Sequence, residues 1–124
     1  MLVNIFNNND NYGILLRDSS DNILTNNIAN SNKGNGIDVY SDSLRNILTG
    51  NTFSNNDNSG IVIKSEDTIL NNNIACNNGY DGVMDFRCDA PTQIASGSEN
   101  VFGDVLQCGG GWPEEETHYV SSCS

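Results

Sequence analysis

Two columns of residues recur along this chain and never lose step with each other. Gly13, Gly36, Gly60 and Gly82 lie 23, 24 and 22 residues apart, and Asn4, Asn27, Asn51 and Asn73 each stand nine residues ahead of the matching glycine. An offset that survives four times while the period itself wavers marks an internal repeat. A period of roughly 20 to 25 residues confines a chain to a few solenoid types. A third column, Ile23, Ile47 and Ile69, sits four residues before Asn27, Asn51 and Asn73.

Each repeat holds three short apolar segments, too short for helices. In the repeat that starts at Gly36 they are residues 37–40, 47–49 and 52–54, separated by the Asn, Asp, Ser and Gly that suit turns. The leucine-rich-repeat motif is absent. Three strands per turn of about 23 residues describe an all-β fold, a parallel β-helix of about four coils. Equivalent residues then stack on neighbouring coils at about 4.8 Å.

Stacking assigns directions. Ile14, Ile37, Ile61 and Val83 are expected to form one inward column, Leu16, Val39 and Ile63 a second, and Ile5, Ile28 and Ile74 a third, interrupted by Thr52. Asn4, Asn27, Asn51 and Asn73 are expected to form a buried amide ladder in which each side chain donates to the next. The glycines are expected to supply positive φ at the turn into the following strand. In the fourth coil the run Val83-Met84-Asp85-Phe86 would bury an unpaired carboxylate, so a register shift that turns Asp85 outward and Phe86 inward is expected.

The spacing fails after residue 88. Residues 1–88 are read as coils, and residues 89–124, with Trp112, Tyr119 and two of the cysteines, as a C-terminal cap over the last coil within the same domain. Cys76, Cys88, Cys108 and Cys123 form no C-x-x-C pair, which favours disulfides in an oxidising compartment over a zinc site; buried free thiols are the alternative. Four cysteines allow three connectivities. Cys88 and Cys108 are 20 residues apart, close to one coil, so they would stack as neighbours and leave Cys76 to Cys123.

The 124 residues carry a formal net charge of −11 with five Lys and Arg, which argues against nucleic acid and anionic membranes, whose phosphates need cations. The same acidity opposes tight binding of a polyuronate unless Ca²⁺ bridges the carboxylates, and leaves neutral glycans open. No apolar run is long enough for a membrane span. The first residues already fit the repeat without a basic, signal-like segment, so further coils of a parent chain are expected before Met1.

The Asn-x-Ile-x-x-Asn and Gly-Ile-x-Val/Leu pattern over roughly residues 2–87 resembles the right-handed parallel β-helix repeat family, the pectin-lyase-like superfamily with its NosD-type members. That resemblance implies a right-handed coil and, where members act on polysaccharides, a groove of Asp, Arg, Lys and His on the outer face of one sheet. The outward positions here, Leu15 and Arg17, Asp38 and Tyr40, Val62 and Lys64, place no two carboxylates on adjacent coils. This removes a glycosidase-like carboxylate pair and weakens a Ca²⁺ site. The polygalacturonase-type and epimerase motifs are missing, and no catalytic constellation stands out.

Arg17, Asp38, Tyr40 and Lys64 are therefore the candidate carbohydrate-contacting residues, weighed against a simply solvated solenoid face. His118, the only histidine, stands among Glu114, Glu115 and Glu116 and reads as a surface residue rather than a general base. The expected function is a secreted or cell-surface β-helix module that binds polysaccharide or acts as a spacer. The alternative is the C-terminal fragment of a polysaccharide lyase or epimerase whose catalytic coils lie upstream.

Overall fold

The computed structural model describes residues 3–79, 84–89, 94–109 and 111–123. Gly82 and Val83, expected in the fourth coil, lie outside the described residues. The elements are all strands: β1 (Ile14–Leu16), β2 (Ile23–Thr25), β3 (Ile37–Val39), β4 (Ile47–Thr49), β5 (Thr52–Ser54), β6 (Ile61–Ile63), β7 (Thr68–Asn71), β8 (Ile74–Cys76), β9 (Phe86–Cys88), β10 (Ile94–Ser98), β11 (Asn100–Phe102), β12 (Val105–Leu106) and β13 (Tyr119–Val120). They line up in three parallel sheets, β1-β3-β6-β9-β12, β2-β4-β7-β10 and β5-β8-β11-β13. This is the expected parallel β-helix, and its pairing continues past residue 88 through β10, β11 and β12.

Registers follow the repeat. Ile14 pairs with Ile37, Ile37 with Ile61, and Ile61 with Phe86, so the first sheet buries Ile37, Ile61 and Phe86 in one column and Val39, Ile63 and Cys88 in the next. The second sheet buries Leu48 and Leu70.

The third sheet corrects the expected column. Ile28 and Thr52 are half-buried and Ile5 and Ile74 exposed; all four lie on the outside, and the residues that fill the interior are Ala29, Phe53, Ala75 and Phe102. Asn27 already points inward, and successive strand residues alternate, so Ile28 must face out and Ala29 in. Large and small side chains alternate along this column, which lets the Phe53 ring fill the space left by Ala29 and Ala75 on either side.

The corners explain the abundance of asparagine. Asn26, Gly50, Asn72 and Glu99 have φ between 57° and 69°, and each immediately precedes an inward asparagine, Asn27, Asn51, Asn73 or Asn100. A second corner repeats the arrangement with Asn8, Ser31, Asn55 and Asn77 ahead of Asn9, Asn32, Asn56 and Asn78. A third has Asp21, Arg45 and Asp67 ahead of Asn22, Asn46 and Thr68. A left-handed residue turns the chain through the corner, and Asn and Asp tolerate that conformation better than most side chains.

The inward asparagines then bond from coil to coil. Asn27 donates both its backbone N–H and its Nδ2 to Asn51 Oδ1, at 2.8 and 3.0 Å, and Asn51 does the same to Asn73, and Asn73 to Asn100. A parallel ladder runs Asn9, Asn32, Asn56, Asn78. A shorter one joins Asn22 to Asn46. One ladder was expected and three are present.

The repeated glycines among the described residues, Gly13, Gly36 and Gly60, do not carry positive φ. They are required by space: a Cβ on Gly36 would lie 2.6 Å from the Gly60 carbonyl oxygen and 2.9 Å from Phe53 Cβ, and one on Gly13 or Gly60 is as crowded. The fourth place in this column is taken by Asp85, whose carbonyl accepts from Ile61 N–H just as Gly60 O accepts from Ile37. Phe86 points inward as expected, but Asp85 does not turn outward. It is buried and closes the second ladder, Oδ1 accepting from Asn78 N–H and Nδ2 at 2.8 and 2.9 Å and Oδ2 from Asp104 N–H at 2.9 Å. Its carboxylate is thus satisfied by three donors, which removes the cost that made burial look forbidding.

The C-terminal end is closed by aromatic packing. Phe86 stacks on Phe102 at 4.9 Å, Tyr119 on Phe102 at 5.6 Å, and Trp112 leans on Phe86 at 5.5 Å. Disulfides Cys76–Cys123 and Cys88–Cys108 tie the cap to the coils, with Cα separations of 5.7 and 4.7 Å, and match the pairing expected from coil spacing.

Candidate functional site

Beyond its inward residues the first sheet presents one continuous outer row. Tyr40 N–H donates to Leu16 O, Lys64 N–H to Val39 O and Asp89 N–H to Ile63 O, so the ladder carries on one residue past the strands and stacks Arg17, Tyr40, Lys64 and Asp89 on successive coils. A stack of this kind brings side chains from residues more than 20 positions apart to one strip about 5 Å per step.

The candidate residues Arg17, Tyr40, Lys64 and Asp38 do meet there. The Arg17 guanidinium lies 5.2 Å from the Tyr40 ring centroid and the Lys64 ammonium 4.7 Å from it, both over the ring. Contacts of this kind contribute about 0.5–1 kcal/mol when exposed. They favour placements of these two long side chains over the ring. The ring itself is occupied by these cations, so a sugar would meet their N–H groups rather than stack on a bare phenol.

Asp38 is placed differently from the expectation. It sits on the outer face but is only 1% exposed, as its neighbour Val62 is 2% exposed. Its Oδ2 accepts from Asn35 Nδ2 at 3.1 Å and faces Lys64 Nζ at 3.4 Å, while Oδ1 is buried without a hydrogen-bond partner. Burial pushes its carboxyl above the ordinary range, with the Lys64 charge opposing the shift. Asp38 therefore anchors Lys64 from below and is not an exposed ligand contact.

Two residues join the strip that sequence reasoning passed over. Tyr12 shares a hydrogen bond with Tyr40, which raises the Tyr12 phenol, and Asn35 reaches Asp38. Both directly precede a column glycine, Gly13 or Gly36, and that shared position was the available signal.

Outside the outward positions read from the sequence, one pair of carboxylates occupies adjacent coils. Asp42 Oδ1 accepts from Asp18 N–H at 3.0 Å, and the hydrogen bond between the two side chains holds Asp18 above its usual value. Both are fully exposed beside Arg17, at the end of the strip. Among the described residues no group of three His, Cys, Asp or Glu is placed to hold a metal ion. No helix of the described residues is long and apolar enough to cross a membrane.

His118 belongs to the cap. Its ring stacks on Trp112 at 5.4 Å and its Nδ1 accepts from Glu114 N–H at 2.9 Å, so the nitrogen that would act as a base is already used. A family model described as the right-handed beta helix region matches residues 2–102. Comparisons with curated proteins and with solved structures find no match.

Proposed function

This chain belongs to the right-handed β-helix family, and from that premise we propose that it is a non-catalytic, carbohydrate-binding module of a secreted or cell-surface protein. The observation that carries the reading is the pair of cations, Arg17 and Lys64, over Tyr40 on the outer face of the first sheet. Guanidinium and ammonium N–H groups and the Tyr12 and Tyr40 hydroxyls make a strip of hydrogen-bonding groups suited to sugar hydroxyls. Asp38, Asp89, Asp18 and Asp42 around them offset the local positive charge, and the whole chain carries −11, which favours neutral over anionic glycans. The Asn-x-Ile-x-x-Asn and Gly-Ile-x-Val pattern aligns the module with pectin-lyase-like, NosD-type repeats. Two disulfides suit an oxidising, extracellular setting.

A glycan array probed with the wild-type protein and with an Arg17→Ala/Lys64→Ala variant tests this. The module binds a set of neutral oligosaccharides, and the double variant loses that binding while its circular dichroism is unchanged. Binding that survives the double substitution overturns the site, and no binding to any glycan leaves the spacer role in its place.

A further inference from the structure

We propose that the N-terminal face of the solenoid is a docking surface for one more parallel coil of asparagine-ladder β-helix. Among the described residues the face is apolar and open. Ile23 is 71% exposed, and Phe6, Ile14 and Leu24 with Asn4 and Asn27 line a hollow of about 390 Å³. In the next coil the equivalents of Ile14 and Leu24, Ile37 and Leu48, are completely buried. Exposed apolar surface of this kind, beside strands with an unpaired edge, marks an interaction site.

The ladders specify the occupant. Within each inner ladder the upstream asparagine is the donor and the downstream Oδ1 the acceptor: Asn4 to Asn27, Asn9 to Asn32, Asn22 to Asn46. Among the described residues, Oδ1 of Asn4, Asn9 and Asn22 accepts no bond, so the N-terminal face offers three acceptors at its three corners. What fits above them is a coil that supplies an asparagine N–H and Nδ2 at each corner, in parallel register, with an apolar inner face between.

Copies of this chain do not meet that requirement. Two N-terminal faces brought together oppose acceptors to acceptors. Among the described residues, the first two ladders end without a free donor at the C-terminal end of another copy: Asn100 Nδ2 is committed to Leu70 O and His118 O, and the second ladder ends in Asp85, whose oxygens only accept. Tyr119 and Trp112 also cover the core there.

The test splices a duplicate of residues 27–50 directly ahead of Asn4, which sets its first asparagine 24 residues before Asn4, the offset that separates Asn27 from Asn51. The fused coil is expected to slow amide exchange in β1 and β2 at least ten-fold and to leave a monomer. A matched fusion with alanine at its three ladder positions is expected to give no protection. Unchanged exchange with the asparagine-bearing coil overturns the proposal. So does an unmodified chain that dimerises in a way that Ile23→Asp dissolves, because the occupant is then a second copy. The unmodified chain is expected to stay monomeric and to bind an apolar dye less after Ile23→Asp, a reading that does not depend on the fusion folding.

Discussion

Replacing Asn51 with alanine removes the middle rung of the longest ladder. The side chain is fully buried and makes four hydrogen bonds: Oδ1 accepts from Asn27 N–H and Nδ2, and Nδ2 donates to Leu24 O at 2.8 Å and to Asn73 Oδ1 at 3.1 Å. Asn73 Oδ1 keeps the Asn51 backbone N–H, so three groups lose a partner inside the protein: two donors on Asn27 and the Leu24 carbonyl. Each buried group left unmade costs about 1–3 kcal/mol, so the three come to about 3–9 kcal/mol. That is a large part of the about 5–15 kcal/mol typical of a whole domain. The comparison is Asn4→Ala, which removes a single side-chain bond at an exposed end rung and should cost about 1 kcal/mol or less. Urea unfolding followed by circular dichroism reads both. Equal effects, or a loss under about 1 kcal/mol at Asn51, would show that the ladder does not hold the coils together.

Other perturbations follow from the same geometry. Gly36→Ala forces a Cβ against the Gly60 carbonyl and Phe53, and a loss of about 1–3 kcal/mol is expected in the same urea assay; a neutral result would mean the coils separate freely. Asp38 has its folded pKa raised by burial above the ordinary aspartate value of 3.8, so the native state holds a proton that the unfolded chain releases. Its contribution to stability therefore falls as pH rises from that value through the raised one, and Asp38→Asn should flatten this part of a pH–stability profile. Replacing Cys88 and Cys108 by serine opens a loop of 20-residue separation and should cost about 3 kcal/mol in thermal unfolding, while the wild-type protein titrates no free thiol when denatured.

The solenoid was legible because the nine-residue offset from asparagine to glycine locks strands to corners regardless of small changes in period. Which face of the third sheet is inside was not legible from hydrophobicity, since Ile28 and Ile74 are more apolar than Ala29 and Ala75. Strand alternation from the inward Asn27 decides it. The extra ladders were visible as the dipeptides Asn8-Asn9, Asn55-Asn56 and Asn77-Asn78, in which the first residue turns the corner and the second points in. Asp85 misled because Gly82 keeps the spacing, whereas the strand register places Asp85 in the glycine column and uses its carboxylate as the last rung.

The candidate strip was partly legible. Coil arithmetic stacks Arg17, Tyr40 and Lys64, and the structure brings them together. The burial of Asp38 depends on how Asn35 and Lys64 fold over it, which no linear pattern encodes.

The most direct measurement is a titration of ¹⁵N-labelled protein with a neutral oligosaccharide selected from the array, followed by amide and side-chain NMR shifts. The account predicts saturable shifts confined to Tyr12, Arg17, Tyr40, Lys64 and their neighbours on the first sheet, and none in the Arg17→Ala/Lys64→Ala variant. Shifts centred on Trp112 and His118 in the cap, or none at saturating sugar, would contradict it.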